Sequence, residues 1–350
     1  MSHTVTIMRT TTTSSSNAMF VNSGYLGTLP GLLKLAQLLL GAACVGVVGY
    51  YLEPGFYRYN GQKPELFYFL VSVACLVGTF CLLTSCLVSL TTATMISKTV
   101  YEVIYHGVAF ILYLAAGLTL IIEVNHQKSS YRNDYDPYLA AAVMGLVMAG
   151  LYLLSTFLAN RTYRVNKTMT RGPTIVRVAP TTGDSGRGIK CCCCRCCECL
   201  NLGYLTSQHG IIKLSEAMLG GLCQSLLVKY GMTEASAMGS AFHGFLTTAS
   251  ACLLTTSLLI TCYVLSSNSQ HLIRQSIFEC VFNSVACFMY LSASSYMGIA
   301  VNIYLYPRYS LISMYAAYPA MTAVYYIGVI VGILHGADAY ISYKYHKGIR

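Results

Sequence analysis

Eight stretches of apolar residues, each close to the length that crosses a lipid bilayer, limit what this chain can fold into. Read between charges and turn residues, they are Leu32–Leu52, Leu66–Leu90, Val100–Ile122, Tyr138–Leu158, Ile211–Val228, Ala241–Leu265, Ile277–Val301 and a last one from about Val324 to Ile341. A hydrocarbon core of about 30 Å takes roughly 20 helical residues at about 1.5 Å each. Backbone N–H and C=O groups find no water there, so each stretch is read as a helix; no period-two alternation argues for a barrel. Only 10% of the 350 residues are charged, against roughly 25% in soluble domains, which argues against a water-soluble enzyme. The longest stretch outside these blocks, residues 159–210, is a basic linker containing Ser, Gly and Pro. It leaves no room for a separate soluble catalytic domain.

Basic residues set the orientation. With both termini and the linker on one side, that side holds Arg9, Lys34, Lys98, Arg161, Arg164, Lys167, Arg171, Arg177, Arg187, Lys190, Arg195, Lys213, Arg274, Lys344, Lys347 and Arg350, which is 16 of the 22 Lys and Arg. The opposite side keeps six, diluted by Glu53, Glu65, Glu123, Asp134, Asp136 and Glu234. Termini and linker are therefore expected in the cytosol, in a multi-pass protein of the plasma membrane or vesicles. The polar Met1–Ser16, with its Thr/Ser run at 10–16, reads as a tail rather than a signal peptide. Two sequons, Asn160-Arg-Thr and Asn166-Lys-Thr, fall on the cytosolic side and are expected to carry no glycan. Tyrosines crowd the other face: Tyr50, Tyr51, Tyr57, Tyr59, Tyr131, Tyr135, Tyr138, Tyr304, Tyr306 and Tyr309; with no Trp in the chain, they are expected to supply the interfacial aromatic belt.

The two halves repeat. Gly31–Gly41 (GLLKLAQLLLG) aligns with Gly210–Gly220 (GIIKLSEAMLG), and Tyr101-Glu102 through Leu114 aligns with Phe278-Glu279 through Leu291, sharing Val108-Ala109 and Val285-Ala286. Lys98 meets Arg274 and Cys86 meets Cys262, at an offset that stays between 176 and 180. Four spans per copy is an even number, so both copies enter the membrane in the same direction, a parallel repeat. The expected fold is an all-α membrane protein of eight transmembrane helices in two tandem four-helix bundles. The expected divisions are a disordered cytosolic tail at 1–28, a first bundle at 29–165, a Cys-rich linker at 166–207, a second bundle at 208–345 and a tail at 346–350.

The repeat singles out charges. Lys34 opens the first span and Glu102 the third; Lys213 and Glu279 stand at the matching places of the second half. Intramembrane charges find partners, so ion pairs Lys34–Glu102 and Lys213–Glu279 are expected, with Glu216 one turn on sharing Lys213; the alternative is independent snorkelling into the headgroups. Gly328, Gly332 and Gly336 form a small-residue ladder that admits another helix, from this bundle or from a second copy. His335 and Asp338 read as a solvated helix end, and His106, replaced by Asn283 in the repeat, as a polar packing residue.

Nine of the sixteen cysteines lie within spans, where they read as small core residues. The other seven, Cys191, Cys192, Cys193, Cys194, Cys196, Cys197 and Cys199, crowd a basic stretch just before the fifth span. Disulfides do not persist in the cytosol, and juxtamembrane cysteines beside basic residues are expected substrates of S-acylation. A zinc site is a weaker reading, because adjacent cysteines do not converge easily on one tetrahedral ion; unmodified apolar filler is the other alternative.

The Leu-Leu-Lys-Leu-Ala-Gln-Leu opening at 32–38 and its second copy resemble the four-span MARVEL domain. Two copies in one chain, preceded by Thr-Val-Thr at 4–6 and the Thr/Ser run, resemble the myeloid-associated differentiation marker family. The resemblance implies roles in vesicle trafficking, ordered cholesterol-rich membrane domains and membrane apposition at junctions, with no enzymatic activity. The chain departs from the pattern in having Glu216 where Gln37 stands. Cysteine-free outer loops argue against claudin- or connexin-type four-span proteins. No nucleophile elbow, phosphate loop, zincin motif or paired intramembrane Asp appears, and neither a cofactor nor a metal is expected. The net charge of +10 lies mostly in linker and tails and suits anionic inner-leaflet lipid rather than nucleic acid. Expected partners are membrane lipids, cholesterol among them, other membrane proteins, cytoskeletal adaptors and a second copy of the chain. A channel or transporter, and an adhesion protein acting through the Tyr-rich loops, are the alternatives to a membrane organiser.

Overall fold

A computed structural model of the chain describes residues 22–52, 63–126, 135–169, 189–191, 194–196, 200–312 and 314–348. Among them are eight helices long and apolar enough to cross a membrane: α1 (Leu29–Leu52), α2 (Pro64–Val88), α3 (Tyr101–His126), α4 (Tyr135–Thr168), α5 (Gln208–Met238), α6 (Ser240–Leu265), α7 (Phe278–Leu311) and α8 (Ala317–Lys347). Most outrun the apolar blocks that announce them. The 34 residues of α4 extend about 51 Å at about 1.5 Å per residue, well beyond a hydrocarbon core. Its last turns carry exposed Arg161, Arg164 and Lys167, and both sequons lie on this continuous helix. α8 ends the same way, with Lys344 and Lys347 before Gly348, whose φ of 67° closes the helix in the left-handed region. Cations at these ends also suit the negative pole of the helix dipole.

Each half is a ring of four helices. α1 packs on α2 and α4, and α3 on α2 and α4; α5–α8 repeat the arrangement, with the third and fourth helices of each half most closely joined. Tyrosine fills much of the interior. Tyr68, Tyr101, Tyr105, Tyr113, Tyr152, Tyr263 and Tyr290 are fully buried, so the belt accounts for only part of the tyrosine content. Thr79 Oγ1 lies 2.9 Å from Tyr105 Oη and 2.8 Å from Tyr152 Oη, and the Tyr105 hydroxyl donates to the Cys75 carbonyl; this satisfies phenols that lipid could not. Of the tyrosines assigned to the outer face, Tyr50, Tyr304, Tyr306 and Tyr309 are exposed and Tyr138 is buried; Tyr57, Tyr59 and Tyr131 lie outside the described residues.

The segments read as tail and linker reach into the fold. Asn22 N donates to the Leu87 carbonyl and Asn201 N to that of Val264, each at 2.7 Å. Thr28 Oγ1 and Ser207 Oγ then accept from Gly31 N and Gly210 N, opening α1 and α5 alike. Residues 22–28 and 201–207 thus belong to the packed units, because uncapped first-turn N–H groups at a membrane helix start need a partner. In the linker, the backbone of Ile189–Cys191 pairs antiparallel with Cys194–Cys196.

The halves meet through equivalent residues. α2 faces α6, and these are the two most enclosed spans, 56% buried against 28–39% for the others. Tyr101 and its counterpart Phe278 touch each other, with ring centroids 5.0 Å apart. Val100 N donates to Ser269 Oγ at 3.2 Å, while the matching Ile277 N donates to Thr92 Oγ1 at 3.3 Å. Each copy gives what it receives, as in a two-fold symmetric dimer. Thr92→Val and Ser269→Ala each remove the acceptor of one backbone N–H, and each is expected to cost about 1–2 kcal/mol. Unfolding of the purified protein in detergent checks this; a loss in one variant and none in the other contradicts the reciprocal arrangement.

Candidate functional site

Lys34 lies one turn into α1 and Glu102 at the second position of α3, diagonally across the first ring. Lys34 Nζ stands 2.7 Å from Glu102 Oε1 and donates to Tyr25 Oη at 3.1 Å. Lys34 is 2% exposed and Glu102 9%. Burial raises the pKa of Tyr25, against the lowering effect of the Lys34 ammonium, so its phenol stays protonated. Deeper by a turn, Gln37 Nε2 donates to Ser155 Oγ at 2.8 Å. His106 is buried among Tyr105 and Tyr152, and its Nδ1 has no hydrogen-bond partner.

The second half places a larger cluster at the same level. Lys213 Nζ is 2.6 Å from Asp338 Oδ2, 2.9 Å from Asn283 Oδ1, 3.2 Å from Glu216 Oε2 and 3.8 Å from Glu279 Oε1. Glu279, expected as the main partner, is therefore the most distant of the four; its Oε1 lies 3.0 Å from His209 Nε2. His209 Nδ1 is 3.2 Å from Asp338 Oδ1, and His335 Nδ1 is 3.2 Å from Glu216 Oε1. Asn283 Nδ2 donates to Asp338 Oδ2 at 2.7 Å. Three carboxylates thus share one ammonium, and the two imidazoles stand beside Glu279 Oε1, Asp338 Oδ1 and Glu216 Oε1. Both ring nitrogens of His209 look at carboxylates, Nε2 in a hydrogen bond with Glu279 Oε1 and Nδ1 close to Asp338 Oδ1 without making one. Unscreened charge of one sign is costly in such a place.

His335 and Asp338 correct the sequence reading of a solvated helix end. They are 1% and 0% exposed, because α8 continues about two turns past them before it ends. The atoms of His209, Glu279 and Asp338 that could ligate a metal lie within 4.8 Å of one another. Lys213 already supplies positive charge to two of the three, while His209 Nδ1, Glu279 Oε2 and Asp338 Oδ1 have no hydrogen-bond partner.

The glycine ladder faces inward along α7. A Cβ on Gly328 would come within 2.4 Å of Ser294 Oγ and 2.5 Å of Phe245 Cζ; on Gly332, within 3.0 Å of Leu291 Cδ2; on Gly336, within 3.2 Å of Cys287 Sγ. Within this chain, then, α7 is the helix that approaches it. The in-span cysteines are unpaired, and seven of the nine are buried. Of the linker cluster, Cys192, Cys193, Cys197 and Cys199 lie outside the described residues, and Cys191, Cys194 and Cys196 are described by backbone alone.

Sequence reasoning missed His209 and the role of Tyr25, and named Asn283 only as the counterpart of His106. A signal was present: the repeat extends upstream of Gly31 and Gly210 as Asn-x-Gly-Tyr-Leu, at Asn22–Leu26 and Asn201–Leu205. Following it would have placed a tyrosine before each lysine.

Two tests follow from the geometry. Lys34→Glu and Glu102→Lys should each lower the yield of folded protein at the cell surface, and the double reversal should restore it; failure to restore sinks the pairing. Lys213→Met leaves three buried carboxylates without their ammonium and should cost about 3–5 kcal/mol, read as lost thermal stability in detergent. Adding Asp338→Asn to that variant should recover part of the loss.

The family profile for MARVEL, the membrane-associating domain, matches residues 25–158, that is, the first ring with its Tyr25 segment. Protein singles bar of Drosophila melanogaster is 46% identical over 163 residues, covering 47% of this chain and 93% of the fly protein. A relative of one repeat's length fits a chain that holds two. No solved structure matches. The eight apolar helices, the four-helix ring at 25–158 and this relative together place the chain in the MARVEL family of multi-pass membrane proteins.

Proposed function

We propose that the protein is a non-catalytic membrane organiser that gathers ordered lipid and partner proteins, at the plasma membrane or in vesicles, with both termini in the cytosol. What carries the reading is the outward surface of a membrane-associating fold. Each of the eight helices turns large apolar side chains away from the protein: Leu39, Phe80, Ile111, Phe157, Met218, Leu265, Phe288 and Ile333 are all exposed. Two rings joined side by side offer a broad lateral face to lipid tails and to other membrane helices. The charged clusters sit toward helix ends and pair within the protein, which favours a structural role for them over a permeation path at mid-membrane.

The linker adds the second element. Its basic residues are drawn to anionic inner-leaflet lipid, and acyl chains on Cys191, Cys192, Cys193, Cys194, Cys196, Cys197 and Cys199 would each add about 0.8 kcal/mol per buried CH₂. Two or more such chains hold the linker to the inner leaflet and favour ordered lipid; cytoskeletal adaptors reach it from the same side. Hydroxylamine-sensitive acyl exchange should label the protein and lose the label when all seven are replaced by Ser. The same variant should shift out of detergent-resistant fractions. An unlabelled wild type, or an unmoved variant, contradicts the linker's part in the mechanism.

A further inference from the structure

The repeat pairs residues of the two halves, and the second half then serves as a template for what the first lacks. Asp338, which takes the shortest bond from Lys213, corresponds to Leu158. His209, which faces the other oxygen of Asp338, corresponds to Pro30. The Gln37–Ser155 hydrogen bond, standing where Glu216 meets His335, anchors this register of α4 against α8.

The missing side chains leave space. A cavity of about 220 Å³ opens beside the Lys34–Glu102 pair, and Pro30, Lys34, Glu102, His106 and Leu158 are among its walls. Lys34 has two partners for three N–H donors, Glu102 and Tyr25, whereas Lys213 is ringed by four groups. His106 stands where Asn283 donates to Asp338. It is 1% exposed, and its Nδ1 has no hydrogen-bond partner. The groups that grip a carboxylate in the second half thus have counterparts in the first, lysine and a side-chain donor, while the carboxylate itself is absent.

We propose that this cavity binds an oxyanion, a phosphate or carboxylate group brought by a ligand, in the place that Asp338 fills in the other bundle. Lys34 and His106 donate to it, and Thr28 and Thr94 are also among the residues around the cavity. The charge balance has a precedent within the molecule, since one lysine in the second half serves three carboxylates. The group arrives either on a lipid headgroup or as a free solute. This assignment stands apart from the organiser reading, which requires no such pocket.

The test uses the full chain in phosphatidylcholine nanodiscs, with inorganic phosphate in solution as one probe and phosphatidic acid in the bilayer as the other. The thermal midpoint of the wild type should rise with at least one probe; a rise with phosphatidic acid alone identifies a headgroup, and a rise with phosphate as well identifies the bare oxyanion. Leu158→Asp places the missing carboxylate in the cavity and should abolish the rise. Leu158→Ala should keep it. His106→Phe, which removes a donor and keeps the bulk, should weaken binding about tenfold, a difference of about 1.4 kcal/mol, and keeps the test open if Leu158→Asp does not fold. No rise with either probe in the wild type overturns the proposal, as does an equal rise in wild type and Leu158→Asp, or undiminished binding in His106→Phe.

Discussion

A charge placed inside a membrane span has no water to fall back on, and the structure is organised around meeting that demand from within. Lys34 and Lys213 each begin a bundle's first helix below the surface, and each reaches diagonally to a glutamate on the third helix. The diagonal matters because the first and third helices of a ring are not neighbours; the ion pair ties together what packing alone leaves apart. The same demand explains the capped starts at Thr28 and Ser207, the phenols held by Thr79, and the reciprocal hydrogen bonds of Val100 and Ile277. Each removes a polar group that lipid would leave unsatisfied.

Duplication let the two halves diverge while keeping one frame. Their contact uses equivalent residues on both sides, so a two-fold arrangement has been retained inside one chain. Free of the need to be identical, the second half gathered His209, Glu216, His335 and Asp338 around its lysine, and the first kept a simpler pair with a cavity beside it. The family profile matches the half with the simpler pair. One copy thus holds a filled cluster and the other a simpler pair with an open cavity beside it.

Much of the fold was legible because lipid imposes a simple rule on sequence: a span is a long apolar run, and eight such runs were there to read. The repeat was legible too, through Lys34 and Lys213, Glu102 and Glu279. What escaped was set by helix length and tertiary approach. His335 and Asp338 looked solvated because α8 outruns its apolar block, so an apparent end is an interior. Lys213 has a closer partner than Glu279 because α8, far along the chain, delivers Asp338 to it. Residues 22–28 looked like a tail because they precede the apolar run, although Asn22 N bonds the Leu87 carbonyl and Tyr25 Oη accepts from Lys34. Ten tyrosines were assigned to the outer face, yet others, Tyr101, Tyr105, Tyr113 and Tyr152, build the core, where Thr79 and the Cys75 carbonyl partner the phenols of Tyr105 and Tyr152, while the hydroxyls of Tyr101 and Tyr113 are buried without a hydrogen-bond partner.

Two bundles set the same way across the membrane, as proposed, put the bridge between them on the same side as both termini, and the proposed side is the cytosol. The most direct measurement inserts a specific protease site between Arg177 and Arg187 and treats intact and permeabilised cells in parallel. Cleavage into two half-length fragments only after permeabilisation is the result the account predicts. Cleavage from outside intact cells would place the bridge on the wrong face, and the proposed topology, with bridge and termini in the cytosol, would fall with it.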